Sequence, residues 1–194
     1  MLLLKKRSVR FYLGFILVLA MAIGGSAIAA LADSGTGASV AVKAGQLSES
    51  APTAVAAASV TLNGDDQTTT YSMGLTVTDA TGSAAGWKMT ISATQFSDGG
   101  ANTLPSDAQY IGTTPTATCI SVVSSSTHCS PPTNTVSYAS ALTITTLAQK
   151  FFNAAANTGM GKFTVTPTVS VVIPANAVAT TYTSTVSVAI VGGP

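Results

Sequence analysis

From Ser59 onward, apolar and polar residues alternate with a period of two in nearly every stretch that is not turn-rich. In "YSMGLTVTD", Tyr71, Met73, Leu75 and Val77 share one parity, and Ser72, Gly74, Thr76 and Thr78 share the other. In "KFTVTPTVSVVIP", Phe163, Val165, Pro167, Val169, Val171 and Ile173 fall on one parity; "TYTSTVSVAI" places Tyr182, Ser184, Val186, Val188 and Ile190 likewise. Side chains along a strand point alternately to its two faces, so this spacing builds half-buried strands rather than helices. Thr- and Val-rich strands at short intervals, with Gly, Pro, Asn and Asp between them, predict an all-β fold. The expected architecture is a β-sandwich of mainly antiparallel strands, Ig-like or jelly-roll-like.

Local signals place the pieces. "SVAVKAGQLS" reads as a first strand with Val40 and Val42 on one face, and Glu49 to Ala58 as loosely structured chain. "SVTLNGDDQTTTYS" reads as strand, turn, strand, with Val60 and Leu62 ahead of the turn. After the "ATGSAAG" turn, Trp87, Met89 and Ile91 continue the buried face opposite Lys88, Thr90 and Ser92, so these two strands are expected to pair as a hairpin. Trp87 is the only tryptophan and is expected to plug the core. Pro167 has no N–H for a ladder, which puts its strand at an edge or at a bulge. "TTLAQKFFNAAANTGMG" departs from the period and fits a short helix, with Leu147 and Phe151 inward and Gly159 as its stop, or an irregular loop.

The N-terminus has a different character. Lys5, Lys6, Arg7 and Arg10 precede the apolar run "FYLGFILVLAMAIGG" and then "SAIAALADS", with Ala30 and Ala32 at the A-x-A positions. This is the pattern of a signal peptide over residues 1–32, cleaved after Ala32 to leave a single domain over 33–194. A retained membrane anchor is the competing reading, since Phe11 to Ala32 is uncharged and long enough to span a bilayer. Cleavage leaves Lys43, Lys88, Lys150 and Lys162 against all seven acids, 4 − 7 = −3. Four scattered lysines make no basic stripe, which disfavours nucleic acid as a partner.

Cys119 and Cys129 are the only cysteines. In an exported chain so close a pair reads as one local disulfide. His128, the only histidine, lies inside that loop with no nucleophile or metal-ligand partner near it in sequence. Asp65, Asp66, Asp98 and Asp107 sit where turn chemistry alone places an Asp. Paired carboxylates could serve glycosidic cleavage or hold Ca²⁺, but the turn reading is preferred. No catalytic residue, cofactor or metal site is expected.

"LTVTDATGSAAGWKMTISATQF" resembles the first signature of the WxL-domain family of Gram-positive surface proteins, in which a Val-Thr-Asp turn leads into a Gly-Trp-x-apolar strand. Asp79, Gly86, Trp87 and Met89 occupy that pattern, with Met for the usual Leu. Downstream, Gly159, Gly161, Pro174, Tyr182 and Pro194 match the landmarks of the family's C-terminal half. The second W-x-L tripeptide would fall at Val188, Ala189 and Ile190, and no Trp stands there. The resemblance implies a secreted, non-catalytic domain that attaches non-covalently to the cell wall by binding peptidoglycan or another wall polymer. With no apolar anchor or basic tail after the last strand, the expectation is that the protein is retained at the surface non-covalently or else is released. Other surface proteins are further candidate partners; no membrane contact is expected once the signal is removed.

Two other function classes fit the same residues. A structural subunit of a filament or matrix could donate "SVAVKAGQLS" to a neighbour's open sheet edge. A carbohydrate-active enzyme would need two carboxylates together in a groove, for which Asp98 and Asp107 are the pair to test.

Overall fold

The computed structural model describes residues 37–120 and 129–194. The signal-like segment with Ala30 and Ala32, and His128, lie outside the described residues. The chain divides into two units, residues 1–41 and 42–194. Residues 37–41 of the first hold no regular element; every strand among the described residues belongs to the second.

The strands are β1 (Leu47–Ser50), β2 (Gln67–Ser72), β3 (Leu75–Asp79), β4 (Trp87–Ala93), β5 (Gln109–Ile111), β6 (Thr116–Cys119), β7 (Leu142–Thr143), β8 (Gln149–Ala154), β9 (Gly161–Thr166), β10 (Thr168–Ile173) and β11 (Val186–Gly192). They form three antiparallel sheets, ordered β1-β3-β9-β6, β2-β10-β5-β7 and β11-β4-β8. No helix occurs among the described residues.

The alternating pattern explains how the first two sheets are joined. β2 and β3 are one strand that changes sheet at Met73–Gly74, and β9 and β10 are one strand that changes sheet at Pro167. The two run antiparallel, β3 against β9 and β2 against β10. Tyr71, Met73, Leu75 and Val77 stay buried through one crossing, and Phe163, Val165, Pro167, Val169 and Val171 through the other. Strands that bend from one sheet to the next make the corners of sandwiches. Pro167 fits the corner because no N–H is left over there, while its carbonyl accepts from Met73 N–H at 3.1 Å. Of the two placements expected for Pro167, an edge or a bulge, the edge is not found, since β9 and β10 are both central strands; the ladder is instead interrupted at Pro167, where the strand changes sheet. The third sheet lays Trp87, Met89, Ile91 and Phe152 into the same hydrophobic cluster.

Other expectations are corrected. β3 and β4 do not pair as a hairpin: β3 lies between β1 and β9, and β4 between β11 and β8. The connecting residues 80–86 include Gly82, Ala84 and Gly86 at φ 64°, 55° and 75°, and carry the chain over to another sheet instead of folding it back. The first strand starts at Leu47, not in "SVAV"; Val40 and Val42 are 86% and 90% exposed. Pairing with β3 ends at Gly45, whose N–H donates to the Ala80 carbonyl, because β3 has turned away by Ala80. Val60 and Leu62 lie in irregular chain that is held by β2 side chains: Thr69 Oγ1 donates to the Ala58 carbonyl and Gln67 Nε2 to that of Thr61.

The segment read as a helix or loop is β8. Its pairing with β4 skips one residue, Met89 facing Phe152 and Thr90 facing Lys150, which makes Phe151 the extra residue of a bulge. A regular strand would turn one of two successive aromatics outward. The bulge lets Phe151 and Phe152 both be buried, and Leu147 is left exposed.

Candidate functional site

Six of the nine family-pattern residues gather around the start of β4; of the others, Pro194 is exposed at the end of the chain. Trp87 is 0% exposed, and its Nε1–H donates to the Gly159 carbonyl at 2.8 Å. Its ring meets that of Phe152 at 5.9 Å between centroids, tilted by 33°. An indole buried this deeply needs a partner for its N–H, and a backbone carbonyl supplies it. The two flanking glycines are dictated by close approach. At Gly86 (φ 75°) a Cβ would lie 2.4 Å from the Ala154 carbonyl oxygen; at Gly159 (φ 70°) it would lie 2.4 Å from the Ala154 Cβ and 2.8 Å from the indole nitrogen. Gly161 (φ 113°) pairs with Asp79, and a Cβ there would meet the Cys129 Cβ at 2.9 Å. Asp79 is buried; its Oδ1 accepts from Thr81 N–H at 3.0 Å and Thr81 Oγ1 at 2.7 Å, shaping the departure from β3. Met89, two residues into β4, is fully buried.

The Cys119–Cys129 disulfide is formed. It joins the end of β6 to the segment where Ser130 pairs with Met160, so it backs directly onto the Gly159–Gly161 turn. Among the described residues, Trp87, Met89 and Asp79 of this corner are buried.

Pro174 and Tyr182 lie elsewhere. They bound an open cleft of about 240 Å³ together with Asn102, Leu104, Asn176 and Val178, and every residue lining it is uncharged. Both walls are braced. Tyr182 Oη donates to the Val178 carbonyl at 3.0 Å, and Ala177 N–H to that of Pro174 at 3.0 Å. Asp66 reaches across to accept from Ala175 N–H at 2.8 Å. Opposite, Asp98 Oδ1 accepts from Gly100 N–H at 2.8 Å and its Oδ2 from Asn102 Nδ2 at 2.6 Å, while Ser97 pairs with both Thr103 and Thr183. Those hydrogen bonds, from Asn102 first and Gly100 next, hold the Asp98 carboxyl below its ordinary range. A smaller groove of about 110 Å³ is lined by Ser92, Ala93, Thr94, Thr146, Thr185 and Ser187.

Of the other aspartates read as turn residues, Asp65 lies in a turn where its N–H donates to Asn63 Oδ1, and Asp107 is exposed. Among the described residues no group of three or more His, Cys, Asp or Glu side chains could hold a metal. Sequence reasoning did not find Asn102 and Asn176. Both lie in non-periodic loops and enter the cleft only because two distant loops meet there.

The missing second tryptophan falls on β11. Val188 faces Ile91, Ala189 faces Thr90 and Ile190 faces Met89, one strand over from Trp87. Val188 and Ile190 are partly buried and pack against the core, which keeps an apolar face there without an aromatic ring.

No curated protein and no solved structure matches the chain significantly. The family model described as WxL domain surface cell wall-binding matches residues 36–191, which takes in every strand among the described residues except the last residue of β11. With the Gly-Trp corner, the two turn glycines and this span in agreement, the chain belongs to the WxL family of surface cell wall-binding domains.

Proposed function

We propose that the protein is exported with removal of residues 1–32 and binds peptidoglycan non-covalently, without catalysing any reaction, at the cleft beside Tyr182. The observation that carries this reading is the division of the aromatics. Trp87 is sealed in the core, whereas the Tyr182 ring borders an uncharged cleft whose amides and carbonyls suit the hydroxyl and acetamido groups of a glycan. A net charge of −3 after processing opposes polyanionic wall polymers and favours a neutral glycan strand. A glycosidase acid needs a raised carboxyl pKa, and Asp98, one of the two acids that brace the cleft, is shifted the other way.

The test is sedimentation of the secreted chain with insoluble peptidoglycan stripped of protein and teichoic acid. Saturable binding that weakens at least about tenfold in Tyr182→Ala, with unchanged folding, is the expected result. Absence of binding by the folded wild-type chain overturns the reading. Undiminished binding by Tyr182→Ala overturns the cleft. Release of soluble sugar from the pellet overturns the non-catalytic assignment.

A further inference from the structure

The carboxamide of an asparagine is open to attack by the peptide nitrogen of the next residue. A bond forms between that nitrogen and Cγ, the Cγ–Nδ2 bond breaks, and Nδ2 leaves as ammonia with the peptide proton. The resulting five-membered succinimide takes up water and opens to aspartate or isoaspartate. Water is the only co-reactant, and asparagine is thermolabile for this reason. The step needs a peptide N–H that is not already bonded, a next residue that does not shield it, and an Nδ2 that is free to leave.

Asn63 meets all three conditions. It is the only asparagine followed by glycine. Asn63, Gly64, Asp65 and Asp66 are all exposed, ahead of β2. Neither Gly64 N–H nor Asn63 Nδ2 donates to any group among the described residues. Gly64, at φ 90°, has no side chain to cover its nitrogen, and the space where a Cβ would stand is open. Asn63 Oδ1 accepts from Asp65 N–H at 3.0 Å. That turn folds the carboxamide back over the Gly64 peptide and draws electron density from Cγ.

The other five asparagines precede threonine or alanine, and each has one of the reacting groups tied. Asn102 Nδ2 donates to Asp98 Oδ2, Asn134 Nδ2 to the Val136 carbonyl, and Asn153 Nδ2 to Thr135 Oγ1. After Asn157, Thr158 N–H donates to the Ala155 carbonyl; after Asn176, Ala177 N–H donates to that of Pro174.

We infer that Asn63 is a modification site, at which the folded protein converts itself to aspartate and isoaspartate. The product places a new negative charge beside Asp65 and Asp66, so older molecules are more acidic than new ones. Isoaspartate also lengthens the backbone just ahead of Asp66, whose carboxylate braces Ala175 at the cleft. The inference is independent of wall binding.

Incubation of the secreted chain at pH 7 and pH 9, followed by peptide mass spectrometry, tests it. Asn63 is expected to gain the mass difference between water and ammonia at least about tenfold faster than any other asparagine. The rate should rise with pH, because the attacking nitrogen must lose its proton. A free peptide of residues 59–67 sets the unhindered rate, and the folded chain should be slowed less than about tenfold against it. Asn63→Gln, which would have to close a six-membered ring, should remove the fast conversion. A folded chain unconverted at Asn63 while the peptide is consumed overturns the inference. So does equal conversion at another asparagine, or a fast mass change that persists in Asn63→Gln.

Discussion

Trp87 carries three interactions: burial of a large ring, the contact with Phe152, and the N–H bond to Gly159. Trp87→Ala should lower unfolding free energy by about 3–5 kcal/mol, the range for emptying an aromatic site. Trp87→Phe should cost less, about 1–3 kcal/mol beyond the lost ring area, because the Gly159 carbonyl keeps its burial and loses its donor. Urea titration followed by circular dichroism measures both. Gly159→Ala should be as damaging as either, since the new methyl meets both Ala154 and the indole at a backbone angle that only glycine adopts freely. As the only Trp, Trp87 also makes native fluorescence blue-shifted and poorly quenched by acrylamide, with a red shift on unfolding. The burial of this ring was legible in the sequence, because it shares one parity with Met89 and Ile91, opposite Lys88, Thr90 and Ser92. Its hydrogen bond was not, for Gly159 lies 72 residues away and nothing in the spacing joins the two.

At the scale of elements, the disulfide closes a loop of ten residues' separation beside the Gly159–Gly161 turn. Chain-entropy arguments give about 2–3 kcal/mol for so short a loop. Cys119→Ser with Cys129→Ser should lower the midpoint of thermal unfolding by several degrees while the far-ultraviolet spectrum stays that of a β protein. Calorimetry of the two forms checks this, and an unchanged midpoint would mean that the bond constrains nothing beyond the loop. Strand faces were readable from period two, as β3, β4, β9 and β10 demonstrate. Strand partners were not. The 80–86 connection looks like a hairpin turn until its three left-handed residues carry β4 to another sheet. β8 lost its strand pattern to the bulge at Phe151, which hides alternation by placing two aromatics inward in succession.

For the whole molecule, membership of its family places the protein at the cell surface, on the wall. Its stability there should fall on the alkaline side. Burial raises Tyr71 to about 12 and Tyr138 to about 12. Both hydroxyls donate within the fold, to Gln109 Oε1 and to the Phe151 carbonyl. The unfolded chain ionises near the ordinary tyrosine value of about 10, so their contribution is complete below that pH and is lost as pH rises toward 12. For Tyr71 the limiting slope is about 1.4 kcal/mol per pH unit. Thermal melts from pH 8 to 12 should show the decline, and Tyr71→Phe should flatten it. Of the cleft, only Pro174 and Tyr182 were legible in the sequence, and only as family landmarks; that they face Asn102 follows from a meeting of loops that no local pattern encodes.

Two strands that each run through two sheets have one more consequence. Because the same backbone holds the ladders on either side of Met73–Gly74 and of Pro167, neither ladder can open without pulling on the other. Amide protons of β2, β3, β9 and β10 should therefore exchange with solvent deuterium at one common rate set by global opening, while those of β7 and β11 exchange earlier and independently.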